Sequence, residues 1–252
     1  MQGGRFSKPV RRGDTVERRA GPSSANVHAL LRHFERVGFA LAPKFVGTTA
    51  GREVLTFIEG ETGYPPLPES QRSDEALVNV ARAIRAMHDA TQGFVPVDPE
   101  AWHDLEVAVP ARIDCIGHHD LAPWNIVFDG SQVVGIIDWD SIRPSNRVWD
   151  LAYAAHQFVP FHPPASLGPF GWTEVPDRAA RLRLFTDAYG LGVEPAEILD
   201  LIVVRLTSFA AHMEREIRAG NPDYAVQRED NHADGYRTAA RYILDNRAVL
   251  LA

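Results

Sequence analysis

Three oxygen-bearing side chains in the middle of the chain have the types and spacing to handle a hydroxyl group and a divalent cation together: Asp120, Asn125 and Asp138. They frame the stretch GHHDLAPWN at 117–125 and the run IVF-DGSQ-VVGIID that follows it. Two short apolar runs separated by Asp-Gly predict a β-hairpin. Antiparallel strands that meet at a turn bring the start of the first beside the end of the second. Asn125 enters this hairpin and Asp138 leaves it, so the two side chains are expected to be close neighbours. An amide oxygen and a carboxylate at such a place suit Mg²⁺, which takes a few oxygen ligands and keeps the rest of its shell for water and phosphate. Asp120, held off the hairpin by Ala122-Pro123, can face the same space and accept a proton from a hydroxyl positioned for attack. Each residue alone also reads as a turn former or a polar strand end. Their convergence on two strand ends and one loop favours the cation site.

The surrounding chain must position these groups. Residues 1–22 carry Gly3-Gly4, Gly13-Asp14 and Gly21-Pro22 with short β-like pieces around Val10 and Val16, which predicts a small antiparallel sheet. Val27, Leu30, Leu31, Phe34 and Val37 then recur at helical spacing, with Gly38 as a stop. Lys44–Gly47 and Glu53–Ile58 predict two more strands joined by a turn at Gly51. The turn-rich GETGYPPLPESQRSD is a connector, and Leu77, Val80, Ala81, Ile84 and Met87 mark one face of the next helix. Beyond the central block, helical patterns fall at about 147–158, 177–217 (broken near Gly190 and Pro195) and 234–250, with a Pro/Gly-rich loop, FVPFHPPASLGPFGW, among them. The expected architecture is α+β: a small N-terminal lobe over residues 1–58 and a larger, mainly helical lobe over 59–252 with a hairpin embedded in it.

Composition narrows the function. The chain has 252 residues, 45% hydrophobic and 23% charged, ordinary for a globular enzyme. A formal charge of −7 argues against a nucleic-acid partner and leaves room for a cationic small substrate. Cys115 is the one cysteine, so no internal disulfide forms. No apolar run approaches the ~18 residues of a membrane span, and the basic N-terminus lacks the apolar segment of a signal peptide. A cytoplasmic protein with no membrane contact is expected, and no protein partner is readable.

The central block matches a known pattern. H-x-D-x-x-x-x-N, a hairpin and a following Asp resemble the catalytic and metal-binding loops of the protein-kinase-like superfamily. The finer form, HHDLAPWN, IIDWD and then WDLAY at 149–153, is similar to the aminoglycoside phosphotransferase or choline-kinase-like family. The resemblance implies a bilobal protein-kinase-like fold, with Asp120 as catalytic base and Asn125 and Asp138 as ligands of Mg²⁺. It implies that His118 braces the loop and that Asp150 ties it to the following helix. It also implies ATP or GTP as co-substrate, its base read by backbone groups near Phe57, Ile58 and Glu59. His119 stands where a glycine is more usual.

The N-terminal lobe departs from that pattern. Arg18 in TVERR falls where a phosphate-contacting cation is expected, and arginine suits phosphate through its planar fork. The following helix shows Ser24-Ala25-Asn26-Val27-His28 where its partner glutamate would stand, so the ion pair is either missing or supplied from elsewhere. In place of a full glycine-rich loop, Gly3-Gly4-Arg5-Phe6-Ser7 is a candidate abbreviated phosphate cover. The acceptor is expected against the C-terminal helices, where Glu214, Glu216, Asp223, Glu229 and Asp230 could attract an amine, although the same acids also fit a solvated helix face. The leading expectation is a kinase acting on an aminoglycoside-like, amino-alcohol or sugar hydroxyl. The absent helix glutamate supports a second reading, a catalytically silent nucleotide-binding module. A third takes His118-His119-Asp120 as a metal-hydrolase cluster, but Pro123 and the strand after Asn125 oppose the helix it needs.

Overall fold

The computed structural model describes residues 9–102 and 112–252. The candidate phosphate cover at Gly3–Ser7 lies outside the described residues, as does the side chain of Asp223. Strands β1 (Val10–Arg12) and β2 (Thr15–Arg19) precede helix α1 (Ser24–Val37), and β3 (Phe45–Thr49) and β4 (Arg52–Thr56) follow it. They form an antiparallel sheet in the order β1-β2-β4-β3. Helix α1 buries Val27, Leu30, Leu31 and Phe34 of the predicted apolar face but leaves Val37, in its last turn, exposed, and it stops where Gly38 turns left-handed at φ 79° and its N–H caps Phe34 O.

The connector carries β5 (Glu61–Thr62) and a short α2 (Glu69–Arg72), then α3 (Asp74–Ala90), whose N-cap Ser73 accepts from the Ala76 N–H. Strand β6 (Cys115–Gly117) leads into the central loop. A 3₁₀ turn at Pro123–Asn125 feeds the hairpin β7 (Ile126–Asp129) and β8 (Gln132–Ile136). Ile126 pairs with Ile136, and Ile137 N–H donates to Asn125 O at 2.9 Å, so the hairpin closes with Asn125 beside the Asp138 segment. Where the connector crosses this hairpin, Gly60 (φ 138°) lies so close that a Cβ would stand 2.6 Å from Phe128 O.

Strand β9 (Arg143–Ser145) returns to pair with β6, and five helices complete the chain: α4 (Arg147–Phe158), α5 (Arg178–Tyr189), α6 (Pro195–Arg218), α7 (Ala225–Glu229) and α8 (His232–Leu250). Helix α6 packs against α4 and α8, and α3 against α5. One hydrophobic cluster runs from Val27 and Phe34 of α1 through Ile84 and Trp139 to Leu151, Leu206 and Ile243. The sheet and the helices therefore share a core, with the hairpin between them. No helix among the described residues is long and apolar enough to cross a membrane.

Candidate active site

The central loop is held from behind by Asp150, at the start of α4 and fully buried. Its two carboxylate oxygens accept from the backbone N–H groups of His118 and His119, both at 2.8 Å, and His88 of α3 lies 3.1 Å from the same carboxylate. Burial pushes this carboxyl up, but the His88 hydrogen bond and nearby positive charge, Arg205 included, more than reverse that and hold it far below its usual range. Asp150 is thus an ionised anchor for the loop backbone.

His118 is equally enclosed. Its Nδ1 accepts from the Asp120 N–H at 3.3 Å, which leaves Nε2 to donate to Ile137 O at 3.0 Å. Its ring stands edge-on to Trp139, and burial lowers its pKa, so the neutral tautomer joins the Asp120 loop to the residue before Asp138. Trp139 is buried between His118 and Phe34, with its indole N–H on Ile136 O at 2.8 Å.

Asp120 and Asn125 are in direct contact. The Asn125 amide nitrogen donates to both the carbonyl and a carboxylate oxygen of Asp120, each at 2.8 Å. That spends the amide's donors and leaves its Oδ1 without a hydrogen-bond partner among the described residues. Asp120 is raised to about 7, first by burial and then by the charge of Asp138, so it sits near neutrality as a general base requires. Two residues flanking these groups have left-handed backbones without being glycine, His119 (φ 64°) and Asp138 (φ 64°). Such conformations cost ~1–3 kcal/mol each and persist where surrounding contacts over-determine them. Here those contacts are Asp150 and Arg205 for the first and buried Trp139 for the second.

Arg18 reaches this cluster from the sheet. Its Nε donates to Glu53, Nη1 donates to Asp138 Oδ1 at 2.9 Å, and Nη2 to Asp140 Oδ1 at 2.5 Å. Glu53 is its register partner across β2 and β4 and is itself fully buried, with its second oxygen 2.5 Å from His28 Nε2. The ion pair expected from the helix, or absent, is therefore supplied by a strand. The helix contributes His28 as the second partner of that glutamate. Sequence reasoning did not single out Glu53 or Asp140.

Three carboxylates, Glu53, Asp138 and Asp140, share the single guanidinium of Arg18, and Asp140 is raised to about 6 by burial and by its acidic neighbours. This surplus of negative charge, next to a free Asn125 Oδ1, fits a divalent cation. Among the described residues no group of three or more His, Cys, Asp or Glu side chains is arranged to hold a metal ion. The metal-hydrolase reading loses His118, whose two ring nitrogens are spent on Ile137 O and the Asp120 N–H, while His119 Nε2 is buried without a hydrogen-bond partner among the described residues and belongs to no group of three metal-ligating side chains there.

A third missed residue is Arg205 of α6, 1% exposed. Its guanidinium donates to His119 O at 2.6 Å and to Trp149 O at 2.7 Å, against the rings of Trp149, Tyr153 and Phe209. An arginine in the apolar run LIVVRLTSF was a legible signal, since a buried charge must find partners. Arg205→Lys cannot span both carbonyls. It is expected to lower kcat by on the order of 10–100-fold with nucleotide KM little changed, which steady-state kinetics would check.

The remaining expected residues are placed less tightly. Phe57 N–H already donates to Asp14 O at 2.8 Å, and its ring lies under the Arg11 guanidinium, which also pairs with Glu59. Of the backbone groups expected to read a base on this edge, the Phe57 N–H is therefore already committed. Glu214 is paired with Arg237 and Arg218, and Glu216 accepts from the Asn221 amide, so neither is an unpaired acid awaiting an amine. The groups that feel the Asp120 charge are Arg205 and the Tyr153–Tyr236 hydroxyl pair, 3.4 Å apart.

Known proteins are similar to this chain in sequence and in fold. Residues 95–182, which span the whole loop and hairpin, match the model of the phosphotransferase enzyme family. The trifolitoxin immunity protein of Rhizobium leguminosarum bv. trifolii is 35% identical across the full chain, covering 97% of that protein. Among solved structures, a choline/ethanolamine kinase family protein from Mesorhizobium loti aligns with TM-score 0.66 at 17% identity, over 99% of this chain and 91% of that one. The GDP complex of aminoglycoside 2'-phosphotransferase-IIIa aligns with TM-score 0.58 at 13% identity, over 98% and 92%. The structural matches establish the bilobal kinase-like fold. Together with the loop that carries Asp120, Asn125 and Asp138, the matched sequence shows that this chain belongs to the phosphotransferase enzyme family.

Proposed function

We propose that the chain is a Mg²⁺-dependent small-molecule kinase that moves the γ-phosphate of ATP or GTP to a hydroxyl. The observation that carries this reading is the contact between Asp120 and Asn125, with Asp138 close enough to raise the Asp120 pKa. Asp120 accepts the acceptor's proton and orients its oxygen. Asn125 Oδ1 and Asp138 are the residues that would hold Mg²⁺, and Arg18 would meet the nucleotide phosphates from the sheet. When bound, the ion supplies neutralisation of the charge on the phosphates. Most of the remaining acceleration then comes from positioning by the Asp150, His118 and Arg205 contacts. Residues 1–58 form the nucleotide side and 59–252 the catalytic and acceptor side. That nucleotide is present in one structural relative, in its GDP form, supports this reading.

The acceptor is expected to be a hydroxylated compound whose modification protects a cell, because a relative 35% identical over the full chain is named for immunity to a toxin. Paired Glu214 and Glu216 favour a neutral or weakly charged acceptor over a polycation. The test is transfer of labelled γ-phosphate from ATP and from GTP to a panel of aminoglycosides, amino alcohols, sugars and hydroxylated peptides, with Asp138→Asn as control. A Mg²⁺-dependent labelled product absent from the control is expected. Nucleotide binding with no turnover on any member, and no hydrolysis, would favour the silent-module reading instead.

A further inference from the structure

Arg18 does more than pair with a glutamate. Its three nitrogen positions are each committed to a different carboxylate, and it is almost wholly buried. Glu53 fixes it on the sheet side, while Nη1 and Nη2 reach the end of the hairpin. The oxygen it holds at 2.9 Å, Asp138 Oδ1, belongs to the side chain that would ligate the cation. A guanidinium and a divalent ion cannot share that position without strong mutual repulsion.

We propose that Arg18 is an internal counter-ion that holds Asp138 in the nucleotide-free chain, so that cation and nucleotide bind as a coupled pair. Nucleotide phosphates offer the guanidinium a new bidentate partner and draw it from Asp138, which frees that carboxylate for the cation. Glu53, in register across the sheet, keeps the displaced arginine from leaving the cleft. The role belongs to a positioning residue. It rests on the reading of Asp138 as a cation ligand, and it goes further by assigning Arg18 a task before any substrate arrives. A purely structural ion-pair network would leave the nucleotide dependence of cation affinity indifferent to Arg18.

The experiment is titration of the full chain with Mn²⁺, free ion followed by electron paramagnetic resonance, without nucleotide and with saturating ADP. The wild type is expected to bind Mn²⁺ about tenfold more tightly with ADP than without. Arg18→Gln is expected to bind Mn²⁺ alone about tenfold more tightly than the wild type and to lose most of the ADP dependence. Because Arg18→Gln leaves buried Glu53 with His28 alone, Arg18→Gln/Glu53→Gln is measured alongside it. Arg18→Lys, which keeps a charge beside Glu53 but has no fork to span to Asp138 and Asp140, is expected to change affinity in the same direction. Unchanged or weaker Mn²⁺ binding without nucleotide in these variants overturns the proposal. If the wild type still shows ADP-dependent binding that Asp138→Asn abolishes, the kinase reading survives that failure. If the Mn²⁺ site of Arg18→Gln persists after Asp138→Asn is added, or no variant binds Mn²⁺ at all, the assignment of Asp138 falls and the counter-ion role falls with it.

Discussion

Asp120→Asn is expected to lower phosphoryl transfer by about 10²–10⁴-fold while leaving nucleotide binding and the fold intact. The amide keeps the shape and can still meet Asn125, but it cannot accept a proton. The pH dependence gives an independent signature. Burial and the Asp138 charge raise the wild-type carboxyl to about 7, so kcat/KM should climb through a limb near pH 7 instead of near 4. A bound divalent cation opposes that shift, and the limb should therefore move down as Mg²⁺ concentration rises.

The same shift acts on stability with a definite sign. The folded pKa lies above the unfolded one, so the folded chain binds more protons between about pH 4 and 7. The Asp120 contribution is fully present below pH 4 and is lost as pH rises through 7. Asp120 is partly accessible, which limits the effect to about 1–2 kcal/mol. Asp120→Asn should thus be at least as stable as the wild type at pH 8, in urea melts at that pH. A variant both inactive and unstable would instead assign Asp120 a structural role.

The largest stability effect is expected at Asp150. Asp150→Ala leaves two buried backbone N–H groups and His88 without their acceptor, which costs ~3–5 kcal/mol and about 10 °C in Tm for a chain of this size. The Asp150 pKa is depressed, so its stabilisation is present above its unfolded value and is lost as pH falls below about 4. Asp150→Asn keeps one acceptor oxygen and should fall between the two, with a flatter loss of stability on acidification. Thermal melts at pH 7 and pH 3 separate these outcomes. Equal Tm for wild type and Asp150→Ala would mean that the loop is held by something other than this carboxylate.

Much of the fold and the centre of the site were legible because they follow from local periodicity. The helix at 147–158 gives way to Val159-Pro160 and that at 178–189 to Gly190, breaks that residue type announces, and the Asp-Gly turn fixed the hairpin that brings Asn125 toward Asp138. Glu53 was not legible as the partner of Arg18. The two strands are neighbours in the sheet but are separated in sequence by α1 and β3, and pairing order is a tertiary property. Asp140 escaped notice because its side chain is aimed by the left-handed turn at Asp138, a conformation that residue type alone does not announce. His119 adopts a similar backbone without glycine because Asp150 and Arg205 grip its peptide from both sides. The acidic C-terminal helices are less legible for a simpler reason: composition counts charges without their partners, and Glu214 pairs with Arg237.

In the proposed site Asn125 and Asp138 together would form one divalent-cation position beside Asp120. Electron paramagnetic resonance of the Mn²⁺–nucleotide complex tests it most directly, with Asn125→Ala and Asp138→Asn compared separately with the wild type. One tightly held Mn²⁺ per chain is expected, weakened by each substitution on its own. Full retention of that ion in both variants would contradict the account.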